Sequence, residues 1–204
     1  MKKALLTSLL FSLLSPLPSL CQRSPVSTGA AQHCGVERWP VKTLTDPAGE
    51  TVASASPTLG TVAELVMVGA PSRKQLLAAT SSRFAHEKIV YRVSVAVIGD
   101  KEEADSDFHI VLAAPGNHST MLIAEIPSGS CTGPQRANFF NDLRAQFAKD
   151  FGKPAAGKLR RLAQPVAACV TGVGFFDFLH GQDGVAPNGF ELHPVLSIVK
   201  GPCR

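Results

Sequence analysis

Residues 173–195 read VGFFDFLHGQDGVAPNGFELHPV, and the pattern of this run predicts how the end of the chain folds. A stretch rich in β-branched and aromatic residues, 165–178, leads into it, and a second apolar stretch, 190–199, leads out of it. The residues between the two stretches, 179–189, are rich in Gly, Pro and Asn, which favour turns. Two apolar stretches joined by such a loop predict a pair of strands with a long connection.

Glycine and proline predict irregularities within these two strands. Gly172 and Gly174 lie where a bulge or a sharp bend is expected, because glycine weakens a regular strand. Pro194 has no backbone N–H to donate to a neighbouring strand. It therefore predicts either an edge position or a break in the register.

Three more strands and one long helix precede this pair. Apolar and polar residues alternate in three segments, which predicts strands at 89–98, 108–114 and 120–126. A helix is predicted next, because apolar residues recur at three- and four-residue steps between Pro134 and Gly152. Proline suits the first position of a helix and glycine suits its C-terminal cap. The aromatic stripe of this helix indicates core packing.

The order of these elements is similar to that of the OB-fold, a five-stranded Greek-key barrel with a helix between its third and fourth strands. The resemblance covers about residues 89–199. We therefore predict a mainly β fold with one long helix: a five-stranded OB-like Greek-key barrel at 89–204, in the order β-β-β-α-β-β. An immunoglobulin-like sandwich would need about seven strands and no such helix.

An N-terminal extension, 34–88, precedes the predicted barrel. The segment around Trp39 and Pro40 predicts an edge strand, with the proline on its open side. Thr61 and Glu64 have the spacing of a capping box, which predicts a short helix. Residues 70–88 show no interpretable pattern, and the basic cluster at 158–161 predicts a solvated loop.

Residues 1–21 predict a secretory signal peptide. Lys2 and Lys3 form a positive start, and the eleven residues of 4–14 are mostly apolar. A membrane-spanning helix needs about 20 apolar residues, so this run is too short to be one. The protein is therefore expected to be exported, to the periplasm or beyond the cell, with 22–33 as a disordered tether.

Two further properties argue against attachment of the mature chain to a membrane. Lipidation at Cys21 is disfavoured, because Leu20 is larger than the small residue usual before a lipidated cysteine. No other stretch is long and apolar enough to predict a membrane span.

The mature chain keeps four cysteines, which in an exported protein predict two disulfides. Four cysteines allow three pairings that the sequence does not separate. We favour Cys131 with Cys169 and Cys34 with Cys203, because the second bond would tie together both ends of the mature chain. Without a Cys-x-x-Cys pair, a structural zinc site is not expected.

The charge balance argues against nucleic acid as a partner. Removing Lys2 and Lys3 from the net charge of +4 leaves +2, whereas nucleic-acid-binding domains usually carry a strongly basic face. The loop predicted between the first two barrel strands, 99–107, carries five carboxylates, among them Glu102, Glu103, Asp105 and Asp107. In an OB-fold this loop and the loop 179–189 flank the ligand-binding face, where carboxylates repel phosphates.

The run 172–195 also resembles a group of bacterial exported proteins without an established function, in the pattern GVGFFDFxHGQxGVAPNxxELHPV. The segments around Trp39, Asp105 and Met121 resemble further parts of the same pattern. The resemblance implies export from a bacterial cell and supplies no catalytic residues.

Strand periodicity predicts that several polar side chains converge on the rim of the barrel. The predicted ligand-binding residues are Asp107, His109, Glu125, His180, Gln182 and Asn188. The predicted metal ligands are Asp105, Asp107, His109, Glu191 and His193. The cofactor implied is a divalent cation, either Ca²⁺ if carboxylates dominate or Zn²⁺ and Mn²⁺ if the imidazoles do.

Several of these residues also have a purely structural interpretation. Asp105 and Asp107 would cap a tight loop, Glu191 would face solvent, and His193 would bond to backbone beside Pro194. The loop 180–189 would be a rigid bend and nothing more.

Two functions remain open. In the first, the protein is an exported OB-like binding module for a small or oligomeric ligand. In the second, it is a metal-dependent hydrolase of the phosphodiesterase or nuclease type, in which a bound metal activates water. The sequence assigns no catalytic residue to either.

Overall fold

The computed structural model describes residues 33–204, so the predicted signal peptide and almost all of the predicted tether lie outside the described residues. The fold is mainly β. The six strands are β1 (Thr58–Gly60), β2 (Val90–Glu102), β3 (Phe108–Ala114), β4 (Asn117–Ile126), β5 (Arg160–Phe176) and β6 (Phe190–Lys200). The α-helices are α1 (Trp39–Lys42), α2 (Gly49–Ala53), α3 (Val62–Leu65), α4 (Arg73–Ala78) and α5 (Pro134–Phe151). Short 3₁₀ turns lie at Ala85–Lys88 and Gly129–Cys131.

Five strands form a closed ring. The sheet order is β1-β2-β3-β4-β6-β5, and β2 pairs a second time with β5, which joins the two ends. The β4–β6 pair is parallel, and every other pair in the ring is antiparallel. The register of β2 toward both neighbours shifts between Val97 and Gly99. A Cβ at Gly99 would lie 2.9 Å from the carbonyl oxygen of Arg160, so a side chain there would separate β2 from β5.

The main hydrophobic core fills the ring, and α5 covers it. Alternate residues of β3 and β4 face inward, among them Ile110 and Leu122, both fully buried. From α5, Phe140 and Phe147 are fully buried, as the aromatic stripe predicted. Phe147 contacts Phe108 of β3 with a centroid distance of 6.0 Å. Burying a side chain of this size contributes about 1.5–3 kcal/mol, so α5 is held mainly by its aromatic face.

The predicted irregularities in the last two strands are present. The β5–β6 register shifts around Gly172 and again before Gly174, which confirms the predicted bulge. Pro194 lies at this register break. β6 as a whole is not an edge strand, because it pairs with β4 as well as with β5, but its pairs with β4 end at Leu192, so Pro194 lies beyond them.

The segment 33–48 differs from the prediction. The expected edge strand at Trp39 is wrong, because Trp39–Lys42 forms the short helix α1 with Pro40 in its first turn, where a missing N–H costs nothing. Arg38 anchors this helix by donating two hydrogen bonds of 2.6 Å to the carboxylate of Glu87. A second buried pair, Arg83 with Asp46, holds the end of the segment at 2.6 Å.

Other parts of the extension are more regular than predicted. The capping box between Thr61 and Glu64 is confirmed at the start of α3. Residues 70–88 contain α4, which begins with a second capping box, between Ser72 and Gln75. The basic cluster at 158–161 is not a free loop, because Arg160 opens β5 and donates to both oxygens of the buried Asp100.

Two disulfides are present, but the predicted pairing is wrong. Cys34 bonds to Cys131, and Cys169 bonds to Cys203. The first bond fastens the segment 33–48 beside the start of α5, and the second fastens the C-terminus to β5. Over the described part of the chain, no helix combines the length and the apolar character that a membrane crossing requires.

Candidate functional site

A group of charged side chains lies on the outer face of β3, β4 and β6. Successive strand residues point to opposite faces, so the neighbours of the core-facing residues point away from the ring interior. These outward-facing residues are Asp107, His109, Glu125, Glu191 and His193, and each is at most 8% exposed. Trp39 and Lys42 of the segment 33–48 border the same depression as Glu125 and Glu191, and the β5–β6 loop covers His109, which explains why an outer face is buried.

Glu125 lies at the centre of this group. Its Oε1 atom is 3.0 Å from Nδ1 of His109, its direct cross-strand neighbour on β3. Its Oε2 atom is 3.0 Å from Nδ1 of His193 on β6. A single carboxylate therefore contacts two imidazoles from two different strands.

His109 meets a second carboxylate and a backbone carbonyl. Oε1 of Glu103 is 3.3 Å from its Nδ1 atom. Its Nε2 atom is 2.8 Å from the carbonyl oxygen of Asp183, in the loop between β5 and β6. That loop approaches closely because Gly184, with φ of 79°, has no Cβ to collide with Val111. The carbonyl contact requires a proton on Nε2 and so directs Nδ1 toward the two carboxylates.

His193 is completely enclosed. Its Nδ1 atom is 3.2 Å from Oε1 of Glu191, and its Nε2 atom is 3.4 Å from Oδ2 of Asp107. Within residues 33–204, this Nε2 atom and this Oδ2 atom have no hydrogen-bond partner, although both are buried. The other oxygen of Asp107 accepts a hydrogen bond from the backbone N–H of Ser128 at 3.2 Å. The interpretation in which His193 bonds to backbone is therefore wrong, as is a solvent-facing Glu191.

Lys42 brings a positive charge from the covering helix α1. Its Nζ atom lies 3.3 Å from Oδ2 of Asp177, and its side chain passes over the ring of Phe175. The negative charges of Asp177, Glu191, Glu125 and Asp107 together raise the pKa of Lys42, although burial alone would lower it. The positive charge of Lys42 thus offsets part of the negative charge of these four carboxylates.

This crowding shifts the titration of the acids in opposite directions. Burial, together with the charges of Glu125 and Asp177, raises the pKa of Glu191 to about 7. Burial also raises the pKa of Asp107. The pKa of Glu125 falls well below its usual range, because the hydrogen bonds to His109 and His193 outweigh its burial.

The two imidazoles shift upward. Burial alone would lower the pKa of His193, but contacts with Asp107, Glu125 and Glu191 raise it well above its usual value. The pKa of His109 is raised in the same way, since Glu125 outweighs the effect of burial. Each ring therefore lies in surroundings that attract a positive charge, whether a proton or a metal ion.

Two depressions adjoin the group. One, of about 330 Å³, is lined by six carboxylates and by Trp39, Lys42, His180 and Gln182. The carboxylates are those of Glu37, Glu103, Asp105, Glu125, Asp177 and Glu191. The other, of about 710 Å³, is mainly apolar and is lined by Leu76, Leu77, Phe178 and Leu179, among others. The two share Val36, Glu37 and His180 and so form neighbouring parts of one surface.

The structure brings most of the nominated residues to this place. Asp107, His109, Glu125, Glu191 and His193 form the buried group, while Asp105, His180 and Gln182 line the acidic depression. Asp105 also accepts the backbone N–H of Asp107, as expected of a capping residue. Asn188 does not join them, because its side chain donates to the carbonyls of Leu65 and Val68 and fastens the loop to α3.

Three residues of the site were not nominated from the sequence: Lys42, Glu103 and Asp177. Glu103 lies in the acidic loop that the sequence did single out, and Asp177 lies in the quoted run. Lys42 is separated from Asp177 by 135 positions, so local pattern gives no signal for their contact. Neither a family model, nor a curated protein, nor a solved structure matches this chain, so the chemistry of the site follows from its geometry.

Proposed function

We propose that this protein is an exported OB-like module that binds a divalent cation in the acidic depression and, beside it, a small ligand. The ligands of the cation are Glu103, His109 and Glu125. The observation that carries the proposal is that one ligand atom from each of these residues lies within 4.8 Å of the others.

The individual distances support a metal ion. Atoms bound about 2.0–2.2 Å from one ion are themselves about 3–3.5 Å apart. The separations at Nδ1 of His109 are 3.0 Å to Glu125 and 3.3 Å to Glu103. A histidine that binds metal usually donates its other ring N–H to a carbonyl or carboxylate, and the carbonyl of Asp183 has this position. One imidazole with two carboxylates favours Mn²⁺ or Zn²⁺ over Ca²⁺.

The larger depression supports a small organic ligand with an apolar body. Its volume of about 710 Å³ falls within the range of about 300–1,000 Å³ usual for small-molecule sites. A ligand lying there would reach the cation with a polar head group through the shared edge at Val36 and His180. An oxygen-bearing head group suits this arrangement, because it would complete the coordination of the ion.

The proposal also includes the OB-like barrel and the export of the protein from the cell. The closed ring β2-β3-β4-β6-β5, with β4 parallel to β6 and α5 between β4 and β5, supports the barrel. The depression lies between the β2–β3 loop and the β5–β6 loop, which flank the ligand face in that fold. Two disulfides support an oxidising compartment. Expression with the native leader, followed by mass measurement of the secreted chain, tests the predicted cleavage near Gln22.

Metal content and thermal stability test the cation. The purified chain, stripped with EDTA and dialysed against Mn²⁺ or Zn²⁺, is expected to retain metal and to unfold at higher temperature than the stripped protein. Glu125→Gln is expected to lose both effects. Asp142→Asn, at an exposed position of α5, is the matched control and is expected to keep both. A wild-type chain that retains no metal contradicts the proposal.

A metal-dependent hydrolase is the second candidate, and one observation favours it. Glu103 and Glu125 line an open depression, so a cation held there would face solvent and could bind and activate water. Bis(p-nitrophenyl) phosphate is a suitable probe, because its hydrolysis needs no nucleic-acid recognition. Turnover that requires metal and disappears in Glu103→Gln would support this candidate, whereas metal binding without turnover would leave the binding module.

A further inference from the structure

A second polar group lies deeper than the proposed cation site and shares one residue with it. One ligand atom each from Asp107, Glu125 and His193 lies within 4.8 Å of the others. Asp107 and His193 are 0% exposed, so this group is closed to solvent, unlike Glu103 and its neighbours. Glu125 belongs to both groups and turns one oxygen toward each imidazole.

Two atoms of the deeper group are buried without a hydrogen bond among the described residues. Nε2 of His193 and Oδ2 of Asp107 face each other at 3.4 Å, and neither makes a hydrogen bond within the described chain. A buried polar atom left without a hydrogen bond costs about 1–3 kcal/mol. A positive charge between the two atoms, either a proton or a metal ion, would satisfy both of them.

The surroundings of His193 fix the ring in the orientation that a metal ligand needs. Its Nδ1 atom faces Oε2 of Glu125 at 3.0 Å and Oε1 of Glu191 at 3.2 Å, so a proton on Nδ1 leaves the lone pair of Nε2 toward Oδ2 of Asp107. A carboxylate behind a metal-binding histidine is a frequent arrangement, because it sets the tautomer and increases the basicity of the ring. Asp107 is held in turn by the N–H of Ser128 on its other oxygen.

We propose that the site holds two divalent ions bridged by Glu125: an accessible ion at Glu103 and His109, and a buried ion at Asp107 and His193. The inference rests on the proposed function, since the accessible ion is the one proposed there. Each half contributes one imidazole and one carboxylate of its own. Oε2 of Glu125, which faces Nδ1 of His193 in this structure, would turn to the buried ion, while Oε1 faces His109. Ions sharing a bridging ligand in this manner lie about 3.5–4 Å apart.

The two ions have different roles, because their surroundings differ. The accessible ion borders the acidic depression, so it is the one that a ligand or a water molecule reaches. The buried ion is enclosed by α1 and the strands, so it stabilises the fold and holds Glu125 in place. Chelators are therefore expected to remove the accessible ion quickly and the buried ion slowly.

Metal stoichiometry tests this inference separately from the proposed function. Elemental analysis of the mature chain after dialysis against Mn²⁺ is expected to give two ions per chain. Glu103→Gln, at a side chain that is 30% exposed and pairs with Lys101, is expected to leave one ion, and Glu125→Gln none. Asp142→Asn is the control and is expected to keep two.

The electron paramagnetic resonance spectrum gives a second measurement. Two Mn²⁺ ions that share a carboxylate are expected to show a spin-coupled spectrum, and Glu103→Gln is expected to convert it to that of isolated Mn²⁺. One ion per chain that Glu103→Gln removes would overturn the second ion and leave the proposed function intact. Retention of no metal by the wild type would overturn both. Two ions that Glu125→Gln leaves in place would refute the bridge.

Discussion

Replacement of Glu87 by Gln is expected to destabilise the protein more than any single change to a surface charge. The carboxylate of Glu87 is fully buried and accepts four hydrogen bonds: two from Arg38 and one each from the N–H groups of Phe84 and Phe176. Gln has nearly the shape of Glu but no charge. The NH₂ group of its amide would face N–H donors whose hydrogen bonds the carboxylate of Glu87 accepts. The guanidinium of Arg38 would remain buried without its counter-charge.

The size of the effect follows from this burial. Removing one partner of a buried ion pair costs about 3–5 kcal/mol. For a chain of this size, each kcal/mol lowers the melting temperature by about 2–4 °C. We therefore expect Glu87→Gln to melt about 6–20 °C below the wild type. Because Arg38 precedes α1, the loss should also loosen the segment that covers the site.

Urea unfolding followed by fluorescence is the appropriate assay, because Trp39 is the only tryptophan and lies in that segment. The matched control is Glu50→Gln, which breaks an equally short ion pair with Arg136 at a side chain that is 86% exposed. An exposed pair of this kind contributes at most about 1 kcal/mol. Equal losses in the two variants would refute the argument that burial, and not the pair distance, sets the cost.

Three further outcomes are expected. Tyr91 is the only tyrosine, and burial raises its pKa. Near-ultraviolet titration of the folded protein should therefore give a midpoint above that of the protein unfolded in urea. The free energy of unfolding should fall as the pH rises through about 10 and beyond, because the unfolded chain loses this proton first. A midpoint equal to that in urea would contradict the burial. Lys42→Met should destabilise the metal-free chain but increase the affinity for Mn²⁺, measured by calorimetry, at least about tenfold, because a competing positive charge is lost. Unchanged affinity would show that Lys42 does not interact with the cation. Double Cys→Ser replacement at Cys34 and Cys131, 97 positions apart, should cost about 5 kcal/mol by urea unfolding. The same change at the shorter Cys169–Cys203 loop of 34 should cost about 4 kcal/mol, and a reversed order would contradict the loop-entropy account.

The strands and α5 could be predicted because their signals are local. Alternation between Ile89 and Ile126 marks β2, β3 and β4, and the aromatic stripe marks the buried face of α5. Glycine at 172 and 174 marked the bulge of β5, since few other residues fit such a bend. Alternate residues of a strand point to the same face, so His109, Glu125 and His193 could be expected to converge once the order of the strands was predicted.

The missed features depend on contacts between distant parts of the chain. The disulfide pairing was wrong because sequence distance does not report spatial distance, and Cys34 is not bonded to Cys203. Trp39 and Pro40 are compatible with an edge strand or with the first turn of a helix. The helix forms here because Arg38, the residue before it, is held by Glu87, which is 49 positions away in the sequence.

The segment 33–48 changes the nature of the face on which the site lies. Alternation of His109, Glu125 and Glu191 with apolar residues predicts a sheet with one wet face, yet all three are buried. The segment 33–48 borders Glu125 and Glu191, and the β5–β6 loop covers His109. Packing charges under a cover is costly, and replacing buried ion pairs with apolar side chains is often neutral or stabilising. A chain selected for stability alone would therefore place apolar residues there. That the face keeps its carboxylates and imidazoles, while the cover also supplies Lys42 and walls the depression with Trp39, indicates that cover and strands together form one site.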